Sequence, residues 1–263
     1  MANTIVRSRG GDSRPVALIT GAARGLGQGF AVRLAAEGVF VLAVDRLSCS
    51  ETLELIRSAG GEGAELPMDL SDPASIASGT DKALALHGRV DILVNNAGII
   101  PNVEFEQIDL ALWRALMAIN LDAPFLLCRA LIPAMKKQGW GRIVNITSDT
   151  VGLKIPGFAH YVSSKAGLIG LTRALASEFG PNGITVNAVA PGLTRTQGMM
   201  DPNRRGPGGV TTEQEIAFLS QLSAIPRGGE VADLVGTVSF LSSDDAAFVT
   251  GQTIVVDGGL WRV

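Results

Sequence analysis

Residues 16–29 read Val-Ala-Leu-Ile-Thr-Gly-Ala-Ala-Arg-Gly-Leu-Gly-Gln-Gly, an apolar run that passes directly into closely spaced glycines. The run Val16–Thr20 predicts a buried strand, and the pattern over Gly27–Glu37 predicts a helix. Glycines let the chain turn sharply and let its backbone approach a pyrophosphate, and the helix N-terminus offers unpaired N–H groups to phosphates. A glycine cluster alone also suits a plain tight turn. Its position between a strand and a helix indicates a nucleotide-binding turn.

The alternation of strand and helix continues along the chain. Short apolar runs rich in valine and isoleucine predict strands at Val16–Thr20, Phe40–Asp45, Glu65–Asp69, Ile92–Asn95, Arg142–Thr147, Ile184–Ala190 and Thr253–Asp257. Amphipathic stretches between them predict helices that include Gly27–Glu37, Pro73–Leu86, Leu110–Lys137 and His160–Phe179. Repeated strand–helix–strand units predict an α/β fold, in which a doubly wound, seven-stranded parallel sheet carries helices on both faces.

No linker rich in proline, glycine or serine divides the chain, so we predict a single catalytic domain over residues 15–263. Residues 1–14 mix polar, glycine and basic side chains, and we interpret them as a flexible leader. A break in composition at Gln197–Thr212 contains the run Gly206-Pro-Gly-Gly. Because loops of this length are usually functional or mobile, we predict a substrate lid at about residues 197–224.

Composition narrows the class of protein. Hydrophobic residues make up 46 % and charged residues 18 % of the 263 residues, which fits a soluble enzyme with a large core. The formal net charge of −3 and the lack of a long basic run argue against a nucleic-acid partner. Cys49 and Cys128 form no CxxC pair and only two histidines occur, so no metal is expected. Without a secretory signal or a run of about 18 apolar residues, we expect a cytoplasmic protein with no membrane partner.

Asp45 ends the second predicted strand and is followed by Arg46. A carboxylate there can accept hydrogen bonds from the adenosine ribose hydroxyls and repels a 2′-phosphate, although it can also cap the next turn. Arg24 and Arg46 argue the other way, because either guanidinium can pair with a 2′-phosphate. The sequence favours NAD as the cofactor and leaves NADP as the alternative.

Tyr161 stands four residues before Lys165, so both project from one face of a predicted helix. A phenol has a pKa near 10, which is high for a base at neutral pH. A neighbouring ammonium, helped by the positive nicotinamide ring, favours the phenolate, so we expect Lys165 and that ring to lower the pKa of Tyr161 and the pair to exchange a proton with a substrate oxygen. Ser148 follows a predicted strand, where strand ends open onto the ligand crevice, and its hydroxyl can orient the same oxygen.

These motifs together resemble the short-chain dehydrogenase/reductase family. The resemblance covers Val16 to Gly259 and rests on Thr20-Gly21-x-x-x-Gly25-x-Gly27, Asn95-Asn96-Ala97-Gly98, Ser148, Tyr161-x-x-x-Lys165 and Pro191-Gly192. It implies a Rossmann fold and a nicotinamide-dependent oxidoreductase.

The resemblance also assigns roles to residues. Tyr161 would be the general acid/base, Ser148 would polarise the carbonyl, and Lys165 would bind the nicotinamide ribose while tuning Tyr161. Asn120 matches a fourth catalytic residue that holds a water linking Lys165 to solvent; on its own it is a poor helix former inside a predicted helix. The implied cofactor contacts are Gly21, Arg24, Gly25, Leu26, Gly27, Asp45, Asp69, Leu70, Asn96, Ala97, Gly98, Tyr161, Lys165, Pro191, Gly192, Thr194 and Thr196. Asp69 alone could equally be a helix cap.

The substrate is less well defined. We expect Ser148, Thr150, Pro156 and His160 to contact it, although His160 can also simply pack beside its helix start. Similarity to bacterial NAD-dependent dehydrogenases of aromatic or cyclic secondary alcohols, such as 1-phenylethanol dehydrogenases, suggests a secondary alcohol or ketone. Arg204 and Arg205 in the lid could instead receive an acidic substrate.

Two rival functions remain from the sequence. An NADP-dependent 3-oxoacyl-thioester reductase is opposed by Asp45, and a catalytically inactive cofactor-sensing protein is opposed by the presence of both Tyr161 and Lys165. The chain is too short for a sugar-nucleotide epimerase of the same fold. The family usually forms homotetramers, through helices that match Leu110–Lys137 and His160–Phe179, and an apolar end at Leu260-Trp261 fits such an assembly.

Overall fold

The computed structural model describes residues 14–262, so the predicted leader lies outside the described residues except for Arg14, which pairs with Glu62. The strands are β1 (Val16–Thr20), β2 (Phe40–Asp45), β3 (Glu62–Pro67), β4 (Ile92–Asn95), β5 (Gly141–Ile146), β6 (Ile184–Pro191), β7 (Thr194–Arg195), β8 (Gly229–Glu230) and β9 (Thr253–Val256). The α-helices are α1 (Gly25–Ala36), α2 (Ser50–Ser58), α3 (Pro73–His87), α4 (Leu110–Met117), α5 (Ala123–Gln138), α6 (Ala159–Phe179), α7 (Thr212–Leu222) and α8 (Val231–Leu241).

Seven of these strands form one parallel sheet in the order β3-β2-β1-β4-β5-β6-β9, and β7 pairs with β8 beside it. The central strands are apolar and buried along their length because helices cover both faces. The strand order reverses between β1 and β4. In such sheets the ligand site is the crevice beyond the carboxyl ends of the strands at this reversal. The strand order confirms the predicted α/β class and seven-stranded parallel sheet.

Two hydrophobic cores lie on the two faces of the sheet. One packs α1 and α8 against the sheet through Phe30, Leu34 and Leu234. The other packs α3 and α5 through side chains such as Leu127 and Leu131. Both cysteines belong to these cores: Cys49 and Cys128 are buried free thiols, and burial raises the pKa of each to about 12.

The predicted helix Leu110–Lys137 is confirmed as one helical stretch, Leu110–Gln138, that contains a π-helical turn. This turn, at Ala118–Asp122, lies between α4 and α5. Although the stretch is long and apolar enough to cross a membrane, α5 buries its apolar face against the sheet. Asn120 lies in the turn and makes the hydrogen bonds described below.

Strand β3 starts three residues earlier and ends two residues earlier than predicted. It is an edge strand, paired with β2 from Phe40–Glu62 to Asp45–Pro67, and much of it is partly exposed. The first residues of this strand, Glu62 and Gly63, are not apolar, so a prediction based on apolar runs does not find its start. Asp69 lies beyond the strand end rather than within it.

Candidate active site

The glycine turn between β1 and α1 is a close-packed backbone cradle. Gly21 and Gly25 have φ values of +67° and +62°, a region that other residues rarely adopt. A Cβ on Gly27 would lie 2.1 Å from the carbonyl oxygen of Gly21. Asn96 fixes the turn from the neighbouring strand, because its Nδ2 donates to the carbonyl of Thr20 at 2.9 Å.

This cradle opens into a cavity of about 590 Å³ that fits a dinucleotide. The unpaired backbone groups at the start of α1 and the absence of side chains at the glycines suit a pyrophosphate. Of the predicted cofactor contacts, the cavity is lined by Gly21, Arg24, Gly25, Leu26, Asp45, Asp69, Leu70, Asn96, Ala97, Gly98 and Thr196. Gly27 lies beneath the turn, where it permits the close contact of helix and strand.

Asp45 is held at the rim of this cavity by the backbone. Its carboxylate accepts the N–H of Ala23 at 3.2 Å and the N–H of Leu47 at 3.0 Å. Arg24 and Arg46 are exposed and line the same cavity. Asp69 accepts two hydrogen bonds from Ser71, which lower the pKa of the Asp69 carboxyl, while Asp72 caps helix α3.

Ser148, Tyr161 and Lys165 converge on a second cleft beside the first. All three are buried, and a hydrogen bond joins Tyr161 to Ser148. Lys165 donates from Nζ to the carbonyl of Ile146 at 2.8 Å, and Nζ lies 5.7 Å from the centre of the Tyr161 ring. Thr150 donates to Ser148 Oγ through its hydroxyl at 2.9 Å and its N–H at 3.2 Å. Both donors fill the acceptor side of Ser148 Oγ, and its own proton is directed to Asp149 Oδ1 at 3.4 Å.

Burial shifts the ionisation of both groups in the protein alone. Burial raises the pKa of Tyr161 to about 12, although the hydrogen bond from Ser148 acts in the opposite direction. Burial also lowers the pKa of Lys165 to about 8, because desolvation disfavours both charged forms. The expected lowering of the Tyr161 pKa by Lys165 together with the nicotinamide ring stays a prediction. A protonated Tyr161 is a proton donor at neutral pH.

Asn120 lies at the centre of the π-helical turn and is fully buried. Its Oδ1 accepts the N–H of Ile99 at 2.9 Å, and its Nδ2 donates to the carbonyl of Ile99 at 3.0 Å and to Ser164 Oγ at 3.2 Å. A Cβ on Gly98 would lie 3.3 Å from Asn120 Oδ1 and 3.4 Å from Lys165 Nζ. Asn120 therefore fixes the loop after β4 beside Lys165.

The second cleft, of about 180 Å³, is mostly apolar. Its walls include the predicted Ser148, Thr150, Tyr161, Lys165, Pro191, Gly192, Thr194 and Thr196, together with Ile100, Leu153, Ile155, Phe158, Leu193, Met199 and Leu219. No cluster of three or more potential metal-binding side chains occurs among residues 14–262.

Two predicted substrate contacts are not in this cleft. His160 is fully buried, and neither ring nitrogen has a hydrogen-bond partner within the described chain. It is one residue away from Tyr161 on α6, so its side chain leaves the helix in a different direction. Pro156 is exposed, and its carbonyl accepts a hydrogen bond from Asn102. The burial of His160 agrees with the alternative that it packs beside its helix start, and a substrate contact for either residue stays a prediction.

The predicted lid includes an ordered helix. Thr211 and Gln214 form a capping box that starts α7. Arg204 donates to Glu215 and to Thr212, each at 2.9 Å, and lines both cavities. Glu215 on α7 also lines the cleft. The sequence analysis missed Glu215 because its role depends on how α7 packs, not on any local motif.

Comparison with known proteins agrees with this geometry. A family model described as enoyl-(acyl carrier protein) reductase matches residues 21–261. The 3-oxoacyl-[acyl-carrier-protein] reductase FabG of Escherichia coli is 38 % identical over 94 % of this chain and 98 % of its own. An uncharacterized oxidoreductase of Thermotoga maritima is 39 % identical over 93 % of this chain and 96 % of its own.

Solved structures give the same result. A gluconate 5-dehydrogenase of Burkholderia cenocepacia, in complex with NADP and tartrate, is 30 % identical, with a TM-score of 0.85 over 98 % of both chains. A candidate short-chain alcohol dehydrogenase of Sinorhizobium meliloti is 37 % identical, with a TM-score of 0.87 over 96 % of this chain and 97 % of its own.

The parallel sheet, the glycine cradle and the Ser148, Tyr161 and Lys165 cluster define a nicotinamide-dependent oxidoreductase. Within that class, the chain belongs to the short-chain dehydrogenase/reductase family.

Proposed function

We propose that the chain is an NAD(H)-dependent oxidoreductase that interconverts a secondary alcohol and a ketone, with Tyr161 as the general acid/base. The observation that carries this proposal is the convergence of Ser148, Tyr161 and Lys165 on an apolar cleft beside the dinucleotide cavity. When bound, the nicotinamide ring gives a hydride to the carbonyl carbon or accepts one from the carbinol carbon.

The side chains supply the proton transfer. In reduction, the Ser148 proton turns from Asp149 Oδ1, which it contacts at 3.4 Å, to the carbonyl oxygen, while Thr150 donates to Ser148 Oγ. Tyr161 gives its proton to the same oxygen, which forms the hydroxyl of the product. The Lys165 ammonium stabilises the resulting phenolate, and Asn120 holds the neighbouring loop. In oxidation the proton moves in the opposite direction.

Asp45 supports NAD as the cofactor. Its carboxylate lies on the wall of the cavity, fixed by two backbone N–H groups, so it cannot easily turn away from an added phosphate. A ribose with free hydroxyls can donate to it, whereas a 2′-phosphate would be repelled.

A second candidate is an NADP-dependent 3-oxoacyl-thioester reductase. The FabG relatives support this substrate, and the NADP in the gluconate 5-dehydrogenase structure supports this cofactor. Arg24 and Arg46 line the cavity and could pair with a 2′-phosphate. Both candidates share the reaction at the carbonyl carbon and differ in cofactor and in substrate size.

Steady-state rates with NADH and NADPH test the proposal, measured on small ketones and on an acetoacetyl thioester. We expect kcat/KM for NADH to exceed that for NADPH, and Asp45→Asn to reduce this ratio by removing the charge at nearly the same side-chain size, with one oxygen left as a hydrogen-bond acceptor. Asp81→Asn, at an exposed position on α3, is the matched control. A preference for NADPH and the thioester would establish the second candidate, and no turnover of any carbonyl would refute both.

A further inference from the structure

Asp149 is a buried carboxylic acid in the wall of the substrate cleft. It follows Ser148 directly, and only 4 % of its surface is exposed. Burial, with Asp257 nearby, raises the pKa of Asp149 to about 7. No lysine, arginine or histidine of the described chain forms an ion pair with it.

The buried Asp91 and the half-buried Asp257 have evident structural tasks. Asp91 pairs with Arg89 and accepts the N–H of Val16 at 2.8 Å. Asp257 accepts three backbone N–H groups, those of Gly259, Leu260 and Trp261. The side chain of Asp149 instead has a long hydrogen bond of 3.4 Å from Ser148 Oγ and bonds to adjacent backbone. A buried carboxylic acid in a cleft, with no ion pair and few hydrogen bonds, indicates a role in binding.

Its position relative to the reacting oxygen is defined by Ser148. The same hydroxyl that contacts Asp149 Oδ1 is joined to Tyr161 by a hydrogen bond. A substrate oxygen bound by Ser148 and Tyr161 therefore lies beside the Asp149 carboxyl. A group on the next carbon of the substrate is the nearest one that can reach this carboxyl.

The other side chains of the cleft allow the Asp149 carboxyl to discriminate between substrates. The cleft around Asp149 is lined largely by the apolar side chains of Leu153, Ile155, Phe158, Leu193 and Leu219, and the charged Arg204 and Glu215 in its wall are bonded to each other. A substrate with an alkyl group at the adjacent carbon would leave the buried carboxyl with only its bonds to Ser148 and adjacent backbone. Sites with buried polar groups reject analogues that lack the matching group more strongly than apolar pockets do.

We propose that Asp149 is a specificity-determining residue that selects substrates with a hydroxyl on the carbon next to the reacting carbon, that is, vicinal diols and their hydroxyketones. The proposal rests on the proposed function, because it places the reacting oxygen at Ser148 and Tyr161. The substrate hydroxyl donates to the ionised carboxylate or accepts from the protonated acid. The other ionisable groups that line this cleft are Tyr161 and Lys165 on α6, Arg204 in the predicted lid and Glu215 on α7, and Asp257 lies near Asp149 outside the cleft.

Matched substrate pairs test this assignment. Oxidation of butane-2,3-diol is compared with butan-2-ol, and cyclohexane-1,2-diol with cyclohexanol, with NAD and NADP each supplied in excess. We expect the wild-type protein to prefer each diol in kcat/KM. In Asp149→Ala this diol-to-alcohol ratio should fall about tenfold to hundredfold, the range for a hydrogen bond to a charged group. Asp149→Asn should retain part of the ratio, because an amide still forms a hydrogen bond.

The controls separate this inference from the function on which it rests. Asp81→Ala, on an exposed face of α3, should leave the ratio at its wild-type value. Circular dichroism verifies folding, and Asp149→Asn serves if Asp149→Ala is not folded. Turnover of diol and alcohol with a ratio that neither variant changes would overturn the inference alone. No turnover of any member of the pairs would overturn the proposed function and this inference with it.

Discussion

At Tyr161, burial favours the protonated hydroxyl, whereas oxidation of an alcohol requires the deprotonated one. Desolvation raises the pKa of Tyr161 to about 12 and lowers that of Lys165 to about 8, so at neutral pH the tyrosine holds its proton. This form is suited to donate in the reductive direction. In the oxidative direction a base is needed, so we expect the oxidation rate to rise with pH above neutrality.

Tyr161→Phe tests the role of that hydroxyl. The change removes the proton donor while keeping the ring, so kcat should fall by about 10²- to 10⁴-fold. Binding of NADH, followed by its fluorescence, should change only slightly. Ser163→Ala is the matched control, because Ser163 is an exposed hydroxyl on the same helix and donates only to the carbonyl of Ala159. Wild-type turnover in Tyr161→Phe would remove Tyr161 from the mechanism.

At the scale of elements, the close contact between β1 and α1 requires that residue 27 be a glycine, with no Cβ. Replacing Gly27 with alanine would place a Cβ 2.1 Å from the carbonyl oxygen of Gly21 and 2.6 Å from Asn96 Nδ2. Since backbone must move, we expect Gly27→Ala to cost about 1–3 kcal/mol of stability and to weaken dinucleotide binding. Urea unfolding and NADH titration measure the two effects.

Gly170→Ala provides the contrast for that experiment. Gly170 lies on the exposed face of α6, and a Cβ there meets no atom within 4 Å. Because alanine is the better helix former, this change should stabilise the protein by up to about 1 kcal/mol. Equal effects of both substitutions would show that backbone entropy, and not the close approach to Gly21, governs the turn.

The elements also show what could be predicted from sequence. The glycine turn and the Tyr161–Lys165 pair were predictable because each has a local signal: strand, turn and helix in order, or two side chains one helical turn apart. The π-helical turn at Ala118–Asp122 was not, since Asn120 in it bonds to a loop 21 residues away. Likewise, the start of β3 is set by pairing with β2, and the orientation of the Pro156 and His160 side chains depends on tertiary packing.

At the scale of the whole molecule, Asp149 should lower global stability. Its pKa rises from 3.8 to about 7 on folding, so between these values the native state keeps a proton that the unfolded chain has released. Stability therefore decreases as pH rises through this window, by about 1.4 kcal/mol per unit and up to about 4 kcal/mol in total. Asp149→Asn removes this cost.

Urea unfolding at several pH values measures the effect. The stability advantage of Asp149→Asn should be small near pH 4, grow up to about pH 7 and then remain constant. An advantage that does not vary with pH would show that Asp149 is not buried as a carboxylic acid.

The homotetramer expected from the family resemblance stays a prediction. Exposed apolar side chains on α4 and α5, Leu110 and Phe125, lie on helices that the resemblance assigns to an interface. Phe218 and Leu222 on α7 and the fully exposed Phe248 form further apolar surface. Such surface is typical of proteins that associate.

Because both cysteines are buried, the native protein should react little with thiol-labelling reagents. Thiolates, not thiols, react with maleimides and related reagents, and both native thiols are inside the folded chain with pKa values near 12. A single cysteine introduced at the exposed Gln221 near the end of α7 would carry a dye alone, with the native cysteines left in place. Fluorescence would then test whether the predicted lid moves over a bound substrate in an otherwise unaltered enzyme.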